Sequence, residues 1–222
     1  LNPITFEADA GATPVLTGVP KNQAPGRPLF LVAGSYVTIR GLTFTTTKMP
    51  SQIGIDANAS HATIEGNTFL YSPGTAGTYP HTSAIIIYGN GCLIENNSMT
   101  IDPPLSAGLV MGIFDQSGST IRGNRITVRE GAVIAIDASG YSSGQKTVID
   151  ANDIRCEKSA TNPAYLGIQI ATPASVEITN NLVAGFKTQC SIWGNPPPSD
   201  LFIINNTFYA PKGPNPGINP RC

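Results

Sequence analysis

Two acidic residues open turns of the same form, Asp115-Gln-Ser-Gly118 and Asp137-Ala-Ser-Gly140. Carboxylates brought within about 5 Å of each other tend to hold one shared proton. Such a pair can do acid/base or nucleophilic work on a glycosidic bond. Asp56 opens a related turn, Asp56-Ala-Asn58, and Tyr88 precedes another, Gly89-Asn-Gly91. A tyrosine ring near these acids would stack on a sugar. Tyr79 and His81 share a long polar loop, a further place for sugar binding or catalysis. The same aspartates are equally suited to a humbler task, because an Asp side chain reaches the backbone amide two residues on and caps its own turn. No Ser-His-Asp arrangement, phosphate-binding loop or dinucleotide fingerprint is present, so those chemistries have no support.

Whether these residues meet depends on the elements that carry them, and those are set by a repeat. Seven units share the form of Thr63-Ile-Glu-Gly-Asn-Thr-Phe69, with isoleucines at 39, 64, 94, 121, 149, 178 and 203. Their spacings of 25 to 30 residues identify a solenoid. Each unit reads as strand, sharp corner, strand, with the Ile and the last apolar residue facing inward at period 2. Asn holds the second corner position in six units, at 67, 97, 124, 152, 181 and 206; Leu42 stands there in the first. Stacked coils would bring these amides about 4.8 Å apart, close enough for a hydrogen-bonded ladder. A second apolar strand precedes each unit, as in Ala84-Ile-Ile-Ile87 and Val133-Ile-Ala-Ile136.

The spacing places Ala33, Asp56, Tyr88, Asp115, Asp137 and Ala171 in one outward column at the ends of these preceding strands, with Asp115 and Asp137 on neighbouring coils. A second outward row follows the repeat isoleucines: Arg40, Glu65, Glu95, Arg122, Asp150 and Thr179. Glu65 and Glu95 would be adjacent like charges able to hold Ca²⁺, but the flanking arginines favour a neutralised surface row. No other metal or cofactor is expected.

The pattern V-x-I-x-x-N-x-I with a preceding I-x-I strand resembles the right-handed parallel β-helix repeat of the pectate-lyase-like superfamily, over about residues 29–210. Residues 3–18 read as one further, incomplete coil. The resemblance implies an all-β, three-sheet solenoid of about seven to eight coils. It also implies a glycan site on the outward face of the first sheet, walled by the long turns that leave the third. The polygalacturonase-like Asn-Thr-Asp, Asp-Asp and Gly-His-Gly signatures and the Arg-x-Pro-Lys run of many pectate lyases are absent, so no catalytic residue carries over from the family.

Composition agrees with such a fold. Charged residues are only 12%, while the 23 glycines and 19 prolines suit many turns. With a net charge of −1 and no basic patch, a nucleic-acid partner is not expected. No apolar run approaches the ~18 residues of a membrane span. Residues 1–210 read as a single β-helix domain lacking its N-terminal coil or cap, and 211–222 as a Pro-rich tail. Cys92, Cys156, Cys190 and Cys222 permit three full pairings; Cys92 and Cys156 fall on inward positions, and a bridge from Cys222 to Cys190 is open. The expectation is a secreted or cell-surface protein that binds, and could cleave, a polysaccharide. The alternative is a non-catalytic structural or adhesive solenoid that self-assembles or belongs to a larger parent.

Overall fold

Strands dominate because the chain repeats short β-branched runs between residues that tolerate sharp corners. The computed structural model describes residues 2–17, 28–46, 51–73, 82–104, 108–129, 131–139, 145–157, 166–171, 175–193 and 200–209. Among these there is no helix. The strands form three parallel sheets of seven, eight and eight strands, in which each strand pairs with the third one before and after it along the chain. That order is a coil: every turn lays one strand on each sheet. The first sheet runs from Phe30–Val32 to Thr188–Trp193, the second from Ile4–Glu7 to Asp200–Ile204, and the third from Val15–Thr17 to Thr207–Tyr209.

The repeat isoleucines define the register of the second sheet. Ile39, Ile64, Ile94, Ile121, Ile149, Ile178 and Ile203 stand opposite one another in a single file. The first six are fully buried and Ile203 is half-buried. Burial of an isoleucine stabilises by about 1.5–3 kcal/mol, so this file is a main source of cohesion. Phe44 and Phe69 continue the core on the third sheet, with rings stacked 5.1 Å apart at 8°.

The corner between the second and third sheets divides its labour between two residues. The first takes the left-handed conformation, at Gly41, Gly66, Asn96, Gly123, Ala151, Asn180 and Asn205. The second is the buried asparagine, and its own backbone is not left-handed. Its Nδ2 donates to the carbonyl of the repeat isoleucine one coil earlier and to the next asparagine's Oδ1. For Asn124 these contacts are Ile94 O at 2.9 Å and Asn152 Oδ1 at 3.0 Å. The same pattern runs from Asn67 through Asn97, Asn152 and Asn181 to Asn206. Leu42 has no amide to contribute, but its backbone N–H donates to Asn67 Oδ1 at 3.0 Å.

Where the third sheet passes into the first, the strands bend, and two consecutive residues face inward: Ala135 and Ile136 both belong to the core, while Ile134 lies in a separate apolar cluster. The bend narrows the interior. A Cβ on Gly112 would lie 2.4 Å from Ala135 O and 2.7 Å from Ile101 Cδ1, and one on Gly167 would lie 2.3 Å from Val183 Cγ1. Gln52, Ala84, Gly112, Ala135, Gly167 and Gln189 occupy this position in successive coils. The two buried glutamines sit at its ends. Gln52 Nε2 donates to Phe44 O and Leu70 O, and Gln189 Nε2 to Phe186 O and Tyr209 O.

Candidate functional site

The bend changes the register on which the acid pair depended. Asp115 stands opposite Ile87 and Ala138, both core residues, whereas Asp137 stands opposite Phe114 and Gln169. Asp115 therefore points into the coil and Asp137 points out. The outward column that begins Ala33, Asp56, Tyr88 continues through Gln116 and Ser139, not through the two acids. The sequence expectation of a paired site is corrected here. Asp115 ends its strand at an inward position, so the ends of these strands do not form one outward column.

Asp115 can sit there because its surroundings supply donors. It is 1% exposed and accepts from the backbone N–H of Ser117 (3.2 Å) and Ser119 (3.0 Å). It also accepts from the hydroxyls of Ser117, Ser119 and Thr147. Burial raises its pKa above the ordinary carboxylate value, and the hydrogen bonds from Ser117 and Ser119 oppose the shift without cancelling it. Nearby Cys92 is buried, its thiol directed at Gly89 O (3.3 Å) and pushed up to about 11, chiefly by burial. Cys156 is half-buried and Cys190 is buried; Cys222, and with it the pairing with Cys190 left open above, lies outside the described residues.

The outward face of the first sheet is largely apolar. Ile86, Met111, Phe114, Ile134 and Leu166 form a cluster of their own, none more than 8% exposed. Polar residues stand at Ser51 and Ser83 toward one end of this face and at Asp137 and Gln169 toward the other. There Asp137, 5% exposed, accepts from Gln169 Nε2 at 3.2 Å and from the Ser139 hydroxyl. Asp56 caps its own turn, accepting from Asn58 N–H (2.9 Å) and Nδ2 (3.0 Å). Tyr88, one coil on, is 38% exposed, and partial burial raises its phenol pKa. Tyr79 and His81 lie outside the described residues.

The charged row on the second sheet has the register its spacing predicts, extended by Glu7: Glu7, Arg40, Glu65, Glu95, Arg122, Asp150, Thr179. Arg40 bridges Glu7 and Glu65, and Arg122 holds Glu95 at 2.7 Å. Each of the adjacent glutamates thus has an arginine. Among the described residues no three His, Cys, Asp or Glu side chains gather at metal-binding distance. An open groove of about 380 Å³ follows the corner here, lined by Glu7, Ala8, Arg40, Gly41, Glu65, Gly66 and Asn96.

One aromatic feature escaped the sequence reading. Tyr36 and His61 occupy the same corner position on neighbouring coils, between the first and second sheets, with rings stacked 5.0 Å apart at 9°. His61 reads as a plain turn residue and Tyr36 attracts no notice. The available signal was alignment: Gly91 and Gly118 hold the equivalent position in the next two coils.

Three parallel sheets wound from successive coils, stacked isoleucines inside and polar corners outside, define a parallel β-solenoid. The sequence profile described as right handed beta helix region matches residues 28–213, and the chain belongs to that family, in agreement with the pectate-lyase-like repeat. No curated protein and no solved structure matches the chain.

Proposed function

We propose that this β-helix faces carbohydrate outside the cell, on a secreted or surface protein, and acts by binding glycan rather than by cleaving it with an aspartate pair. The observation that carries this reading is the separation of Asp115 and Asp137 onto opposite faces of the first sheet. A glycosidase needs two carboxylates flanking one bond, and Asp115 is committed to five donors inside the coil. What is left outside suits recognition: a capped Asp56 with exposed Asn58, and an exposed Tyr88. A second reading, a structural or adhesive solenoid, is favoured by the sealed apolar cluster on the face where the family's glycan sites are expected.

The test pairs a glycan array with a reducing-sugar assay on the same polysaccharides, using the native chain and Asp137→Asn. Retained glycan on the array without new reducing ends supports the binding reading. New reducing ends that vanish in Asp137→Asn would make the protein an enzyme and sink it. Failure to retain any glycan would leave the structural solenoid standing.

A further inference from the structure

Four successive coils place one backbone position, at the corner leading from the first sheet into the second, in the left-handed region: Tyr36 (φ 59°), His61 (φ 54°), Gly91 (φ 62°) and Gly118 (φ 79°). Glycine takes this conformation freely, whereas a Cβ there is crowded by the neighbouring carbonyl. Two coils use glycine, yet the other two hold large rings in the same strained backbone. Strain of this sort persists where something other than local stability maintains it.

The core gains nothing from these rings. Their chain neighbours Val37 and Ala62 are the buried residues, while Tyr36 is 42% exposed and His61 is also exposed. The backbone beneath the rings is instead held in place. Tyr36 N–H donates to Ser60 O and His61 N–H to Asn90 O, each at 2.9 Å. The His61 ring leans over the next coil, with Nε2 3.5 Å and Cδ2 3.6 Å from the point where a Gly91 side chain would begin. Beside the rings, the Ser35 and Ser60 hydroxyls lie 3.0 Å apart. The outcome is an exposed aromatic ledge on a hydrogen-bonded backbone, with hydroxyls at its rim.

We propose that Tyr36 and His61 form a stacking ledge for a pyranose ring of a glycan; this rests on the carbohydrate-binding reading above and gives it a site. A pyranose has a face of C–H groups that packs on an aromatic ring, and hydroxyls at its edge that need polar partners. The ledge offers both. A nucleotide base would also stack, but a chain of net charge −1 without a basic patch offers its phosphates little counter-charge.

The test uses Tyr36→Gly, His61→Gly and the double variant of the full chain, with Tyr36→Phe as the variant that keeps the ring. Probes are hexasaccharides of β-1,4-linked glucose, β-1,4-linked xylose and α-1,4-linked galacturonic acid, followed by calorimetry and saturation-transfer NMR. Because the neighbouring coils already use glycine here, the glycine variants are expected to melt no lower than the native chain. They are expected to lose about tenfold or more in affinity for the hexasaccharide that the native chain binds, while Tyr36→Phe retains most of it. If the native chain binds none of the three, the carbohydrate reading fails and the ledge with it. If the native chain binds and the glycine variants bind equally well, the ledge alone is overturned. A lowered melting temperature in the glycine variants would assign the stacked pair a structural role and also overturn the proposal.

Discussion

Asp115 stands in register with Ile87, so a carboxylate follows an isoleucine into the interior of the coil. Its five donors come from Ser117, Ser119 and Thr147, which makes the aspartate a fastener between its own turn and the following coil.

That fastener titrates with a definite sign. Burial raises the folded pKa of Asp115 above its unfolded value, so its contribution is fully present below the unfolded pKa and is lost as pH rises through the folded pKa. Asp115→Asn removes this titration and leaves every other group in place. Urea unfolding from neutral pH down to about pH 4 should show the native chain gaining on Asp115→Asn as pH falls. A difference that stays constant, or that shifts toward Asp115→Asn in acid, would contradict the assignment.

Asn124 should be among the least replaceable residues of the corner. Alanine there leaves the backbone and side-chain N–H groups of Asn97 without their acceptor, and strips Ile94 O and Asn152 Oδ1 of a donor. The expected loss is about 1–3 kcal/mol, read as a lower chemical-denaturation midpoint. An unchanged midpoint would mean that the amide chain contributes nothing net.

Ala151 presents the reverse case. It alone puts alanine at a left-handed position that glycine or asparagine holds in the other six coils, at φ 53°. Ala151→Gly should raise stability by about 0.5–1 kcal/mol, the relief of strain exceeding the added chain entropy. Ala151→Asn should do at least as well, since its side chain would point to solvent. The comparison requires only thermal melts of three purified proteins.

Gly112 tolerates nothing larger. An added methyl meets a carbonyl oxygen and a core side chain at once, so Gly112→Ala should cost about 2 kcal/mol or more. Gly66→Ala tests the contrast: nothing lies within 4 Å of its added Cβ, so its penalty should come from the backbone alone and be smaller.

The architecture was legible in the sequence because it rests on one-dimensional facts. The isoleucine period sets the coil, the Asn at the second corner position sets the amide chain, and period-2 alternation sets the row from Arg40 to Thr179. The acid pair was not legible, because the bend at Ala135–Ile136 makes two consecutive residues face inward and alternation no longer tells inside from outside. An inward aspartate also breaks the rule that polar residues face water, and its compensation by Ser119 and Thr147 exists only after folding. At each corner the left-handed residue is the one before the ladder asparagine. Tyr36 and His61 were hidden because left-handed aromatic residues are rare enough that a turn reading passes over them.

Gln52 and Gln189 determine where the solenoid could be lengthened. Between them the bend is filled by Ala84, Gly112, Ala135 and Gly167, and Gly112 and Gly167 have no room even for a methyl. A duplicated coil carrying Ala or Gly at this place can be spliced beside any of these four. A coil copied from either end brings a long amide that claims two backbone carbonyls, a demand that the four middle coils do not make. The coils are therefore not interchangeable parts, and the glutamines mark the limits of the stretch within which growth by duplication leaves the bore intact.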